Sequence, residues 1–319
     1  MDEPTERLRE RRAQASAARA RRVRRRRLSA IAGLVSVAIL VWLGLSRATG
    51  PRSAPPTAAA PRPSVRASGR SATSGAGQPA AIPPSTERAA LLQLASHGLP
   101  VYCGATTKPM VALTFDDGPG PYTRLVVNKL RKRHLRVTFF LVGKQIGFYP
   151  GLAATERPVG AVADHTMTHP VLPGLSESAM VDEIAAAKTL IERAAGQPVE
   201  IFRPPYGARS PAIDAAAKAL GLVEVIWTID SRDSEGADYA QIAHNVIAGL
   251  HPGSIILMHE NRGQTVRALA TILPALKRSH LQPVTLPTLL SADPPTLAQL
   301  RAGGRGCGRG AGAVATGAG

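Results

Sequence analysis

The chain has 319 residues, 44% of them apolar and only 4% aromatic, with two cysteines, which suits one domain of about 200 residues with appendages. Its formal charge of +17 lies in the ends: residues 1–27 hold eleven arginines against four acidic residues, and with 28–90 and 301–319 also set aside, residues 91–300 keep about +2. A near-neutral domain with no recognition motif argues against nucleic acid as its partner and leaves the basic arm to an anionic surface.

Arg24-Arg25-Arg26-Arg27 abuts an uncharged run of eighteen residues, Leu28 to Leu45, near the lower limit of about 17–25 for a spanning helix. Trp42 lies at its far end, and the positive flank predicts a cytoplasmic N-terminus with the rest exported. The reading is a basic cytoplasmic segment (1–27), a single-pass anchor in the cell membrane (28–45) and an extracytoplasmic remainder. The alternative is secretion after signal cleavage, against which stand the length of the run and the poor site Ser46-Arg47-Ala48-Thr49-Gly50. Residues 46–90, rich in Pro, Ala, Ser and Thr, bury too little apolar surface to order and are expected to be a linker. The domain is expected at 91–300, with its core at 108–290, and Cys103 and Cys307 stand one on each side of that core. An exported chain can oxidise them, though free thiols stay open. The Gly-rich tail, 301–319, is expected to be disordered.

Between 108 and 290 strand and helix patterns alternate. Strands are expected at 110–115, 136–141, 159–163, 199–202, 222–229, 254–258 and 281–285, and helices at 122–133, 176–195, 210–220, 239–250 and 264–279. Ser176 and Ser210, the latter followed by Pro211, suit helix starts. The alternation implies a mostly parallel sheet covered by helices, open or closed into a barrel.

The polar motifs fall where these strands end. Asp116 and Asp117 close the apolar run Met110-Val111-Ala112-Leu113. His165 and His169, spaced i, i+4, follow the third strand; on a helical turn that spacing puts both rings on one face. Asp117, His165 and His169 make a ligand set of one oxygen and two nitrogens, suited to Zn²⁺ and open to Co²⁺, Ni²⁺ or Mn²⁺. Asp116, whose side chain should diverge from its neighbour's, is read as a general base toward a water that such an ion acidifies. Alone, Asp-Asp-Gly-Pro would be an ordinary turn. Arg203, in Arg203-Pro204-Pro205-Tyr206-Gly207, can pair with Asp116, and the Tyr206 N–H can face a developing oxyanion. His259 leaves a short buried strand and can serve as general acid, its protonated form held by Asp233 or Asp230.

In the order TFDDGP, HTxxHP, RPPYG, DxxD and LxH these motifs resemble the polysaccharide deacetylase family, carbohydrate esterase family 4 with its NodB-homology domain, over about residues 108–290. The resemblance implies a deformed (β/α) barrel and metal-assisted removal of N-acetyl groups from an N-acetylglucosamine polymer, peptidoglycan or a chitin-like glycan. It implies Asp116 as base, Asp117, His165 and His169 as ligands of one divalent ion, and Arg203 orienting Asp116. Tyr206 would donate to the oxyanion, and Asp233 would tune His259, the acid toward the departing amine. Leu257, Pro205, Tyr206 and Trp227 would line the acetyl pocket. Two departures stand out: Ser234 replaces the family's usual Trp, and Val159-Gly160-Ala161-Val162-Ala163-Asp164 replaces a more polar approach to the first histidine. The alternatives are an O-acetyl esterase of the xylan type and a vestigial glycan-binding protein. No obligate protein partner is evident.

Overall fold

A computed structural model describes residues 84–308. The basic segment, the expected anchor at 28–45, most of the expected linker and residues 309–319 lie outside the described residues. Among the described residues no helix is long and apolar enough to cross a membrane.

The architecture is a curved, all-parallel sheet wrapped by helices. In chain order it runs α1 (Pro84–Ser96), β1 (Met110–Gly118), α2 (Thr123–Arg131), β2 (Val137–Leu141), α3 (Gly143–Phe148), α4 (Leu152–Glu156), β3 (Gly160–Asp164), α5 (Glu177–Ala195) and β4 (Ile201–Phe202). It continues with α6 (Pro211–Ala219), β5 (Val223–Glu224), β6 (Ile229–Asp230), α7 (Tyr239–Gly249), β7 (Ile255–His259), α8 (Gly263–Arg278), β8 (Gln282–Val284), α9 (Leu286–Ala292) and α10 (Leu297–Ala302). The strand order is β5-β4-β3-β2-β1-β7-β6, with β8 pairing the start of β1. Every pairing is parallel. The terminal strands β5 and β6 are consecutive in the chain yet pair at opposite ends of the sheet, so the barrel stays open along that seam.

Strand alternation splits the core in two. Val111, Leu113 and Phe115 of β1 pack outward with the apolar stripes of α2 (Val126, Val127, Leu130) and α5 (Met180, Ile184, Ala187, Ile191). Met110 and Ala112 face inward with Phe140, Ala163, Ile201 and Val223. Thr114 and Asp116 continue that inward face, which is how a period-two strand delivers a carboxylate to the barrel mouth. The helix starts follow local chemistry: Ser176 accepts the Ala179 N–H, and Ser210 accepts the Ile213 N–H ahead of Pro211.

Three boundaries differ from the sequence reading. The single strand expected over 222–229 is two short strands: Val225 bridges Val101 at one edge, and the chain then crosses to pair β6 with β7. The expected linker, 46–90, ends early, because α1 starts at Pro84 and buries Leu91 and Leu94, each burial worth about 1.5–3 kcal/mol. Of the tail expected at 301–319, residues 301–306 are helical, closing α10 and a 3-10 turn. There Cys307 is bonded to Cys103 across 204 residues, with Cα atoms 5.8 Å apart. The ordered domain therefore extends beyond the 91–300 span and the 108–290 core expected for it.

Candidate active site

The site lies at the C-terminal ends of the strands, where a parallel α/β sheet places its working residues. Alternation would send Asp117 outward, opposite to Asp116. Instead Asp117 adopts a left-handed backbone, φ 68°, and the β1–β2 register shifts between Phe115 and Gly118. The bulge turns both carboxylates toward one imidazole. His165 Nε2 lies 3.7 Å from Asp116 Oδ2 and 3.9 Å from Asp117 Oδ1. The expected divergence of the two aspartates does not occur.

His165 and His169 do converge, but not on a helical turn. They sit on an irregular loop after β3 in which Thr166 (φ 66°) and His169 (φ 63°) are left-handed. Asp164 Oδ1 accepts the Thr166 N–H at 2.7 Å and fixes the first of these bends. His169 Nε2 lies 3.3 Å from Asp117 Oδ1. The outer nitrogen of each ring is engaged: His165 Nδ1 donates to the Arg203 carbonyl at 2.8 Å, and His169 Nδ1 lies 3.2 Å from the Tyr206 hydroxyl. The carbonyl fixes His165 Nδ1 as the donor, so its Nε2 is the nitrogen that faces the aspartates, while the Tyr206 hydroxyl holds the His169 ring with Nε2 toward Asp117.

One ligand atom from each of Asp117, His165 and His169 lies within 4.8 Å of the others. Two neutral ring nitrogens and one carboxylate oxygen fit a borderline divalent ion. The electrostatics agree with such a donor set. Burial pushes the Asp117 carboxyl up, but His165, His259, His169 and the Asn261 amide outweigh it and hold Asp117 below its ordinary value. Burial, reinforced by His165, holds the His169 imidazole down.

Arg203 is fully buried. Its Nη1 donates to Asp116 Oδ1 at 2.7 Å and to Thr114 Oγ1 at 2.8 Å, while Nε and Nη2 donate to the Val225 and Ile226 carbonyls, both at 3.1 Å. The guanidinium lies 3.9 Å from the Phe140 ring centre. Burial pulls Arg203 below its ordinary value, against the pull of Asp116. A cation so enclosed persists only because each edge is paired.

Across the mouth His259, the last residue of β7, donates from Nδ1 to Asp233 Oδ1 at 2.6 Å. Its backbone N–H donates to Asp233 Oδ2 at 2.8 Å, and the Thr265 hydroxyl bonds the same oxygen. Burial opposes a charge on His259, yet Asp233, with Asp116 and Asp117 behind it, pushes its pKa up to about 9. Burial likewise opposes a charge on Asp233, and the His259 and Thr265 bonds hold it down. Of the two partners expected for His259, Asp233 makes the bond. Asp230 instead accepts the Arg232 N–H.

Tyr206 has a left-handed backbone, φ 62°. The two backbone bonds of its turn, Gly207 to Pro204 and Ala208 to Pro205, leave the Tyr206 N–H outside them. Leu257 and Pro205 are buried, and Trp227 packs beneath Gly207, where a Cβ would sit 2.8 Å from the indole. Ser234 is exposed. The sequence reading missed Thr114, Thr265 and Asn261, whose Nδ2 donates to Asp117 Oδ2 at 3.2 Å. Only Thr114, two residues before Asp116 on the inward face, carried a signal.

A family model described as polysaccharide deacetylase matches residues 104–225. A peptidoglycan-N-acetylglucosamine deacetylase of Bacillus cereus is 32% identical over 198 residues, 60% of this chain and 72% of that protein. A bifunctional xylanase/xylan deacetylase of Cellvibrio japonicus is 37% identical over 182 residues, 56% of this chain, which spans only 27% of that relative's length. The crystal structure of a peptidoglycan N-acetylglucosamine deacetylase in complex with a naphthalenyl-N-oxidanyl-benzamide superposes with a TM-score of 0.58 at 31% identity, covering 60% of this chain and 92% of that one. With five motifs in family order on a parallel half-barrel, and a relative 32% identical matched over 72% of its length, the chain belongs to the polysaccharide deacetylase family.

Proposed function

We propose that the enzyme hydrolyses acetamido groups of an extracytoplasmic N-acetylglucosamine glycan, with peptidoglycan as the substrate favoured by the relatives' names. The observation that carries the reading is the convergence of Asp116, Asp117 and His165 on one centre, with the Asp233–His259 pair close enough for its charge to act on Asp117.

Asp117, His165 and His169 would hold one divalent ion, zinc first among the candidates. When bound it would supply Lewis-acid polarisation of the acetyl carbonyl and lower the pKa of a nearby water toward about 7. The remaining work falls to the chain's own groups. Asp116, pinned by Arg203 through Oδ1, keeps Oδ2 free to take the proton from the attacking water. The Tyr206 N–H donates to the carbonyl oxygen as it gains charge. His259, holding its proton on Nε2 because Nδ1 is tied to Asp233, gives it to the amine as the C–N bond breaks. Acetate and a free amino sugar leave.

The test is acetate release from N-acetylated and O-acetylated glycans with zinc supplied. Asp117→Ala and His165→Ala are expected to lose zinc uptake and at least about 10³-fold in kcat/KM, a loss of roughly 4 kcal/mol in transition-state stabilisation. Both activities surviving in both variants would rule out the site. An O-acetyl esterase is the second reading, favoured by the xylan deacetylase relative; preferential release from acetylated xylan would select it. The apolar run Leu28–Leu45 supports anchoring in a membrane with the domain outside. Recovery of the full-length chain in the soluble fraction after cell lysis would oppose that.

A further inference from the structure

The two oxygens of Asp117 have different surroundings. Oδ1 faces the ring nitrogens, 3.3 Å from His169 and 3.9 Å from His165. Oδ2 accepts the Asn261 amide at 3.2 Å. The opposite amide orientation would set a carbonyl oxygen against a carboxylate, so the donor must face Asp117.

The loop that supplies this amide is itself seated. Glu260, fully buried, accepts the Thr123 hydroxyl on Oε1 at 2.6 Å, and Thr123 Oγ1 accepts the Gly120 N–H at 2.7 Å. The Glu260 N–H donates to the Asp116 carbonyl at 3.2 Å. Gly118 has no Cβ, and the space a Cβ would need is filled by the Glu260 carboxyl. The turn bearing Asp117 and the loop bearing Asn261 are therefore joined on both sides of the carboxylate.

We propose that Asn261 is a positioning residue for the metal-ligating carboxylate: by occupying Oδ2 it makes Asp117 a single-oxygen donor aimed between His165 and His169. The inference rests on the reading of those three residues as a ligand set. A neutral amide suits the task, since a cation there would compete with the ion and a second carboxylate would add a rival donor. It completes a pattern in which each ligand has an outer partner, the Arg203 carbonyl for His165 and the Tyr206 hydroxyl for His169.

The test is Zn²⁺ titration of the metal-stripped full chain, by calorimetry and by competition with a chelator, for wild type, Asp117→Ala, Asn261→Ala and Asn261→Leu. Leucine keeps nearly the volume of asparagine without the donor. The expected result is a loss of zinc affinity of about 10- to 100-fold in both Asn261 variants, with the thermal midpoint of the stripped protein unchanged and kcat returning toward wild type as zinc is raised. Wild-type affinity in either variant overturns the positioning role. A fallen midpoint with affinity intact does so too, because it marks a purely structural contact. If wild type and Asp117→Ala fail alike to bind zinc, the ligand set falls and the positioning role with it; if wild type binds and only the Asn261 prediction fails, the ligand set stands.

Discussion

His259 holds its proton through neutrality because the Asp233 carboxylate, itself fixed by Thr265 and the His259 backbone, outweighs the cost of burying an imidazolium. A general acid works only while protonated, so kcat/KM should fall as pH rises, on a limb at or below about 9. Asp233→Asn removes the charge that raises this pKa, and its limb should move to lower pH; a profile unchanged in that variant would deny His259 the role. Glu156 is the opposite case, a fully buried carboxyl with no hydrogen-bond partner for either oxygen among the described residues. Burial, then the charge of Glu260, pushes it well above the ordinary carboxylate value. The folded state therefore binds the proton more tightly, and this group's contribution to stability declines as pH rises from its unfolded value through the folded one. Glu156→Met should stabilise by about 1–2 kcal/mol, read as a thermal midpoint several degrees higher and as loss of that pH-dependent part. At this scale the sequence betrayed the chemical types and two of the pairings, Arg203 with Asp116 and Asp233 with His259, but not the supporting partners Thr114, Thr265 and Asn261. Asp116, Asp117, His165 and His169 are legible because few other arrangements of such groups follow strand ends. Asn261 and Thr265 each meet their carboxylate through a single hydrogen bond, 144 and 32 residues away along the chain, and no periodicity marks a residue whose partner lies so far off.

Element by element, the pattern of apolar runs located the long segments between 108 and 290, missed the thirteen-residue α1 at the edge of the expected linker, and failed where partners change. Leu222 to Ile229 reads as one strand because six of its eight residues are large and apolar, with only Glu224 and Thr228 among them; nothing in that run shows that Val225 leaves one sheet edge and Ile229 joins the other. The short helices α3, α4, α9 and α10 escaped notice for a related reason. At five to seven residues they are too brief for a 3.6-residue stripe to accumulate, and they exist because the surrounding core holds them. The loop after β3 teaches the same lesson from the other side. The i, i+4 spacing of His165 and His169 was sound evidence of convergence, yet two left-handed residues, not a helical turn, bring it about. Spacing constrained which side chains meet; the backbone route between them belonged to tertiary structure.

For the molecule as a whole, the Cys103–Cys307 bond joins the entry to the first strand with the turn that follows α10. Cross-linking across a loop of this length removes much chain entropy from the unfolded state, about 5 kcal/mol in that account, with measured losses for native bonds of about 2–5. Cys103→Ser should lower stability by an amount in that range under oxidising conditions, measured by urea unfolding. Reductant should lower wild type toward the variant and leave the variant unmoved. Whether the two cysteines pair was not legible in the sequence, since proximity depends on α9 and α10 folding back beneath the barrel, and neither helix announces itself. The bond also makes a covalent ring out of residues 103–307, and every group from Asp116 to His259 lies inside its circumference. A protease that cuts one surface turn within that ring would produce two pieces still tethered to each other, so a single nick would open the chain without releasing either half of the catalytic equipment.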